Sequence, residues 1–165
     1  MSTKLTPSDF TASLTDNLEL NSRAYGSLNN YAVTSCDEVD QRIVTVAVES
    51  SGGKAAGTYT TLFQYKDLND LGTGITAEFQ YFRITNLDTV NSLRLQIIDD
   101  KSSIIQHKLP PGAFYQLFDD ELSPICEEAP AEGYPAFNKI MGVRAAGIGA
   151  AIEVEYVTVF KPVAE

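Results

Sequence analysis

The chain has 165 residues and a formal net charge of −10, with 12 Lys plus Arg against 22 Asp plus Glu. That length suits one domain with a real core, and 44% hydrophobic with 21% charged residues excludes wholesale disorder. So acidic a chain, with its few cations scattered, repels phosphate and argues against direct nucleic-acid binding; no apolar run nears the roughly 20 residues of a membrane helix.

The first residues, Met1-Ser2-Thr3-Lys4-Leu5-Thr6-Pro7, lack the apolar core of a signal peptide. Synthesis in a cytoplasm is therefore expected, with any exit by lysis or another route. Residues 1–17 are polar and rich in Ser, Thr and Asp, interrupted by Leu5, Phe10 and Leu14. The stretch reads as a frayed terminus or as an extended arm that orders on a neighbouring subunit. In the second case Leu5, Phe10 and Leu14 are its interface anchors. The expected organisation is an arm over residues 1–17 and a single β-sandwich domain over residues 18–165.

Period-two patterning follows. Val44, Val46 and Val48 alternate with Thr45 and Ala47, the mark of a half-buried strand. Ser50-Ser51-Gly52-Gly53-Lys54 breaks it, and extended residues resume over 58–65, which reads as a hairpin with a loose loop. The stretch from Phe79 to Leu87 is aromatic and β-branched, as suits a pleated surface. Asp88-Thr89-Val90-Asn91 turns the chain, and Arg83 and Asn86 are expected to flank a hairpin there. Leu93, Leu95 and Ile97 then face one side of a strand, with Arg94 and Gln96 on the other. Asp99-Asp100-Lys101-Ser102 turns again, and residues 104–109 run back. Pro110-Pro111-Gly112 ends that strand, because proline cannot donate to a ladder. Residues 113–118 are extended, and residues 119–135, with Pro124, Pro130 and Pro135, form a long loop. Two last strands are expected over 139–144 and 152–160, the latter with Ile152, Val154, Tyr156 and Thr158 on one face and Glu153, Glu155, Val157 and Val159 on the other. About eight or nine strands with turn punctuation and no amphipathic helix predict an all-β antiparallel sandwich, jelly-roll-like.

Residues able to carry chemistry are sparse. His107 is the single histidine, too few for the several His ligands of a jelly-roll metal centre. No GxSxG element accompanies it; it reads as a surface or edge residue. Asp99-Asp100, Asp119-Asp120-Glu121 and Glu127-Glu128 pair carboxylates as glycosidases do, yet all fall in turns or loops where acids are the ordinary solvated choice. Residues 67–72 offer oxygen ligands without the EF-hand spacing. Gly147-Ile148-Gly149 lies between two strands, whereas a phosphate cradle needs its glycines between a strand and a helix. Cys36 and Cys126 show no zinc spacing; they read as free thiols, with one disulfide left open. No enzyme activity, metal or cofactor is expected. Aromatic pairs such as Tyr81-Phe82 and Phe114-Tyr115 point to opposite faces of their strands. One member of each fills the core and the other needs a cover, which is the pattern of a subunit in a larger assembly.

Three segments recur in a familiar order: Tyr81-Phe82-Arg83-Ile84-Thr85-Asn86-Leu87-Asp88, then Asn91-Ser92-Leu93-Arg94-Leu95, then Leu109-Pro110-Pro111-Gly112 with Phe114. Upstream stand Tyr25-Gly26-Ser27 and Val39-Asp40-Gln41-Arg42-Ile43-Val44; downstream stand Arg144-Ala145-Ala146 and Val154-Glu155-Tyr156. Together they resemble small structural proteins of tailed bacteriophages, especially marine ones, over residues 20–160. These are scaffold motifs rather than active-site signatures, and residues 119–135 have no counterpart in them. The resemblance implies a virion component on the capsid surface, a decoration or cement protein. It would form trimers or dimers with itself and dock on the major capsid protein. A neck, tail or fibre position is the alternative within the virion. A carbohydrate-binding or adhesion module is the alternative outside it, disfavoured by the lack of Trp.

Overall fold

A computed structural model describes residues 8–36, 38–49, 59–64, 78–118, 121–122 and 137–161. Within them lie eleven strands and no helix: β1 (Ser8–Leu20), β2 (Arg23–Cys36), β3 (Glu38–Val46), β4 (Thr60–Gln64), β5 (Glu78–Asn86), β6 (Leu93–Asp99), β7 (Ile104–Leu109), β8 (Phe114–Leu117), β9 (Glu121–Leu122), β10 (Asn138–Gly147) and β11 (Ile152–Lys161). Eight of them build two antiparallel sheets, ordered β3-β11-β5-β8 and β4-β10-β6-β7, with β9 added beside β10. Counted one to eight within the sandwich, the sheets read 1-8-3-6 and 2-7-4-5. That is the strand order of a jelly roll.

Alternation explains which face each strand buries. Leu93, Leu95 and Ile97 of β6 point inward, as do Ile152, Val154 and Tyr156 of β11, and all are buried. Between the sheets sits an aromatic cluster in which Phe63 stacks on Phe79 at 5.2 Å and meets the edge of Phe160 at 6.0 Å. Phe82 lies 5.7 Å from Phe63 and 6.5 Å from Tyr156. Each such ring contributes about 2–3 kcal/mol by leaving water.

The edge strand β3 turns charge inward instead. The Tyr156 hydroxyl donates to Asp40 Oδ2 at 3.2 Å, and Asp40 also pairs with Arg42 at 2.7 Å. Burial and the facing carboxylate push the Tyr156 hydroxyl up to about 12, against the opposing pull of Arg42. Inward charge at a sheet edge discourages pairing with a foreign strand.

The jelly-roll order corrects two local expectations. Residues 44–48 and 58–65 are not two arms of a hairpin: β3 and β4 belong to opposite sheets. Nor do Arg83 and Asn86 flank one, because β5 and β6 also lie in opposite sheets. In this fold only the fourth and fifth sandwich strands are both consecutive and adjacent. They are β6 and β7, paired from Leu93 with Leu109 to Ile98 with Ile104. Their turn forms as expected, capped by buried Asp99, which accepts from the Lys101 and Ser103 amides at 3.0 and 2.6 Å and from Asn138 at 2.7 Å. Burial alone would raise the Asp99 carboxyl, but these hydrogen bonds outweigh it and hold it below its ordinary value.

Three crossings gather at one end of the sandwich, through residues 87–92, 110–113 and 148–151. Asn86, wholly buried, ties two of them together. Its Nδ2 reaches the carbonyls of Asn91, Pro110 and Leu109 at 2.9, 3.1 and 3.3 Å, while its Oδ1 accepts from the Asp88 amide at 3.0 Å. Asp88 then closes its own turn, accepting from the Val90 and Asn91 amides at 2.7 Å each. Gly112 and Gly149 take φ of 70° and 87° in the other two crossings, a region that favours glycine.

Candidate interaction surface

The most distinctive element lies outside the sandwich. β1 and β2 pair continuously from Phe10 with Val33 to Leu20 with Arg23. Asn21 and Ser22 close the ladder with φ of 52° and 59°, the doubly positive pattern of a tight hairpin turn. Residues 8–17 of the expected arm are thus extended, and they pair with the chain's own β2. No strand was expected over residues 18–36. The signal was present in the Asn21-Ser22 pair and the alternation of Phe10, Ala12 and Leu14, but flanking Ser, Thr and Asn diluted the apolar count.

The base of the hairpin crosses the outer face of the β3-β11-β5-β8 sheet. Val33 and Cys36 are buried there with Tyr81, Val157 and Val159, and Phe10, Ala12 and Tyr31 pack around them. Tyr81 is the hub, with ring centroids 5.0 Å from Phe10, 5.7 Å from Phe118 and 6.3 Å from Tyr31. Burial raises the Tyr81 hydroxyl, against Arg83 and a hydrogen bond from Gln116. The Tyr31 hydroxyl donates to the Phe118 carbonyl at 2.7 Å, and the Cys36 thiol donates to the Ser8 carbonyl at 2.7 Å. Cys36 is an unpaired thiol. From Cys36 through Val33 to Tyr31 the hairpin therefore travels from the β3 side toward β8. It leaves the body beside Phe118, where Leu14, Asn29, Tyr31 and Gln116 help line a cavity of about 310 Å³.

Beyond that point the hairpin overhangs. Among the described side chains of residues 15–30 every one is exposed, Leu28 by 63%. Of the three anchors expected from sequence, Phe10 and Leu14 are half-buried, the first on Tyr81 and the second at the cavity. Leu5 lies outside the described residues.

The hairpin covers only part of that sheet face. Outward positions fall in rows across the strands: Val39, Val159 and Tyr81; then Gln41, Val157, Arg83 and Gln116; then Ile43, Glu155, Thr85 and Phe114. Tyr81, Val157 and Val159 are covered. The third row is open, with Ile43 65% and Phe114 51% exposed. Glu155 is held within the surface by Arg83 at 3.1 Å and Gln41 at 2.8 Å. The aromatic pairs divide as alternation requires: Phe82 is in the core and Tyr81 under the hairpin, while Tyr115 is half-buried and Phe114 faces water.

The outer face of the other sheet is polar and internally paired over much of its area, with the apolar pair Ile98 and exposed Ile104 in one row. Arg94 bonds Glu49 at 2.6 Å and Gln106 at 3.0 Å. Arg144 donates to Gln96 at 2.6 Å and lies over the Tyr59 ring at 4.9 Å.

The residues weighed for chemistry are dispersed. His107 sits on β7 with its ring 4.5 Å from Tyr115, across the edge where the two sheets meet. Asp99 caps a turn, and its neighbour Asp100 lies 3.7 Å from Lys101. Residues 67–72, 119–120 and 123–135, with Cys126, lie outside the described residues. Among the described residues no three His, Cys, Asp or Glu side chains gather closely enough to hold a metal ion. No protein-family model, curated protein or solved structure matches this chain.

Proposed function

We propose that this chain is a structural protein of a bacteriophage virion, a capsid decoration subunit that docks on the major capsid protein and stabilises the shell. The observation that carries the reading is the overhanging hairpin. A two-stranded ladder whose described side chains all stand in water is marginal by itself, so an overhang of this kind calls for a partner that covers it. The jelly roll recurs among viral capsid proteins, which supports the reading by fold analogy alone. The order of scaffold motifs from Tyr81 to Phe114 points the same way.

Immunolabelling of purified particles from cells that express the gene tests this. Label spread over the capsid shell is the expected result. Label confined to the neck, tail or fibres moves the protein to another virion position, and unlabelled particles overturn the proposal.

A further inference from the structure

We propose that the overhang, residues 15–28, docks on the open third row of the outer sheet face of a second copy of this chain. This deepens the assembly reading above by naming the overhang's partner. The face has already been shown to accept this hairpin: its base covers Tyr81, Val157 and Val159 one row and two rows away from Ile43 and Phe114. The open row lies next to that of covered Val157.

The overhang cannot cover the open row of its own chain. The ladder is in regular register from Phe10 to Leu20, and it leaves the body past Phe118, away from Ile43 on the opposite edge strand. Folding back would break the ladder. A second copy supplies the same segment from outside.

Dimensions and charge agree. Six register pairs, from Thr15 with Leu28 to Leu20 with Arg23, reach about 20 Å at the usual rise per residue. Four strands side by side span about 15 Å, so the overhang can cross the whole row from Phe114 to Ile43. Within residues 15–28 the charged side chains are Asp16, Glu19 and Arg23, two acids and one base, net −1 against −10 for the whole chain. A nearly neutral segment approaches an acidic copy with little repulsion.

The test uses the full-length chain and two variants, by sedimentation at up to about 100 µM, where even a weak contact is populated. In the first variant a two-residue Asn-Gly turn joins Leu14 directly to its near-neighbour Asn29, its register partner, removing residues 15–28 and keeping the base. The second is Ile43→Glu, at a position exposed enough to spare the fold. Circular dichroism and thermal melting establish that each variant is folded. The wild-type chain is expected to be an oligomer, and each variant alone a monomer, at the 18.0 kDa of one chain for Ile43→Glu and below it for the deletion. A mixture of the two is expected to associate, because one brings an intact face and the other an intact overhang. A monomeric wild type, a folded variant that keeps the wild-type mass, or a mixture that stays monomeric overturns the proposal. Capsid labelling is independent of this result, so the two proposals can fail separately.

Discussion

Asn86 is buried with both polar atoms of its side chain engaged, and what it binds is backbone from two separate crossings. Asn86→Ala would leave those carbonyls and the Asp88 amide without their partner inside the protein. A loss of about 3 kcal/mol is expected from orphaning several buried groups at once, read as a lower denaturant midpoint; an unchanged midpoint would mean that water replaces the side chain freely. Tyr156 makes a pH-dependent contribution. Its hydroxyl ionises at about 12 in the folded protein, against about 10 in an unfolded chain. The unfolded state therefore loses that proton first as pH rises, and stability is retained below about pH 10 and falls between about pH 10 and 12. Melting temperature across that window should drop less steeply in Tyr156→Phe than in the wild type.

At the scale of elements, the hairpin is one ladder with two unequal halves. Its base is held by Phe10, Val33 and Tyr31 on Tyr81, whereas its far half adds to backbone pairing only exposed polar contacts, such as Ser27 Oγ to Asp16 at 3.2 Å. Amide exchange should therefore be fast over residues 15–28 in a monomer and slow in β5 and β11. Phe10→Ala removes the closest ring on Tyr81 and should cost about 1–3 kcal/mol, less than a fully buried ring. Its exchange signature should be local: faster at Ser8–Cys36 with the sandwich strands unchanged. Acceleration spread evenly over all strands would show that base and sandwich unfold as one unit. The covered outer face also changes the meaning of two-sided apolar strands. Tyr81, Val157 and Val159 are apolar outward because the same chain covers them, while among the described outward residues of that face Ile43 and Phe114 stand open.

For the molecule as a whole, the jelly roll decides which neighbouring strands are partners. β6 and β7 were legible as a hairpin because clean alternation on both sides of Asp99 meets a turn that returns the chain to the same sheet. β5 and β6 carry an equally clear pattern and turn, yet the chain there changes sheets, and nothing between Asp88 and Asn91 announces it. The interaction surface was legible only in fragments. Phe10 and Leu14 stood out as apolar residues in a polar stretch, but their partner was expected on another subunit. The hairpin's second strand passed unseen because Asn29, Asn30 and Ser27 read as loop residues when their ladder is not in view.

Sequence alone determined where most sandwich strands run and which side chains share a face, because both follow from local alternation and from residues that stop a strand. Sheet membership was beyond it. Val46 pairs with Ile152 and Tyr81 with Val159, contacts that join distant parts of the chain and depend on how eight strands fill one core together. Only the tertiary structure decided that the outward side chains of Tyr81 and Val159 are covered by the N-terminal hairpin and that Ile43 and Phe114 are open.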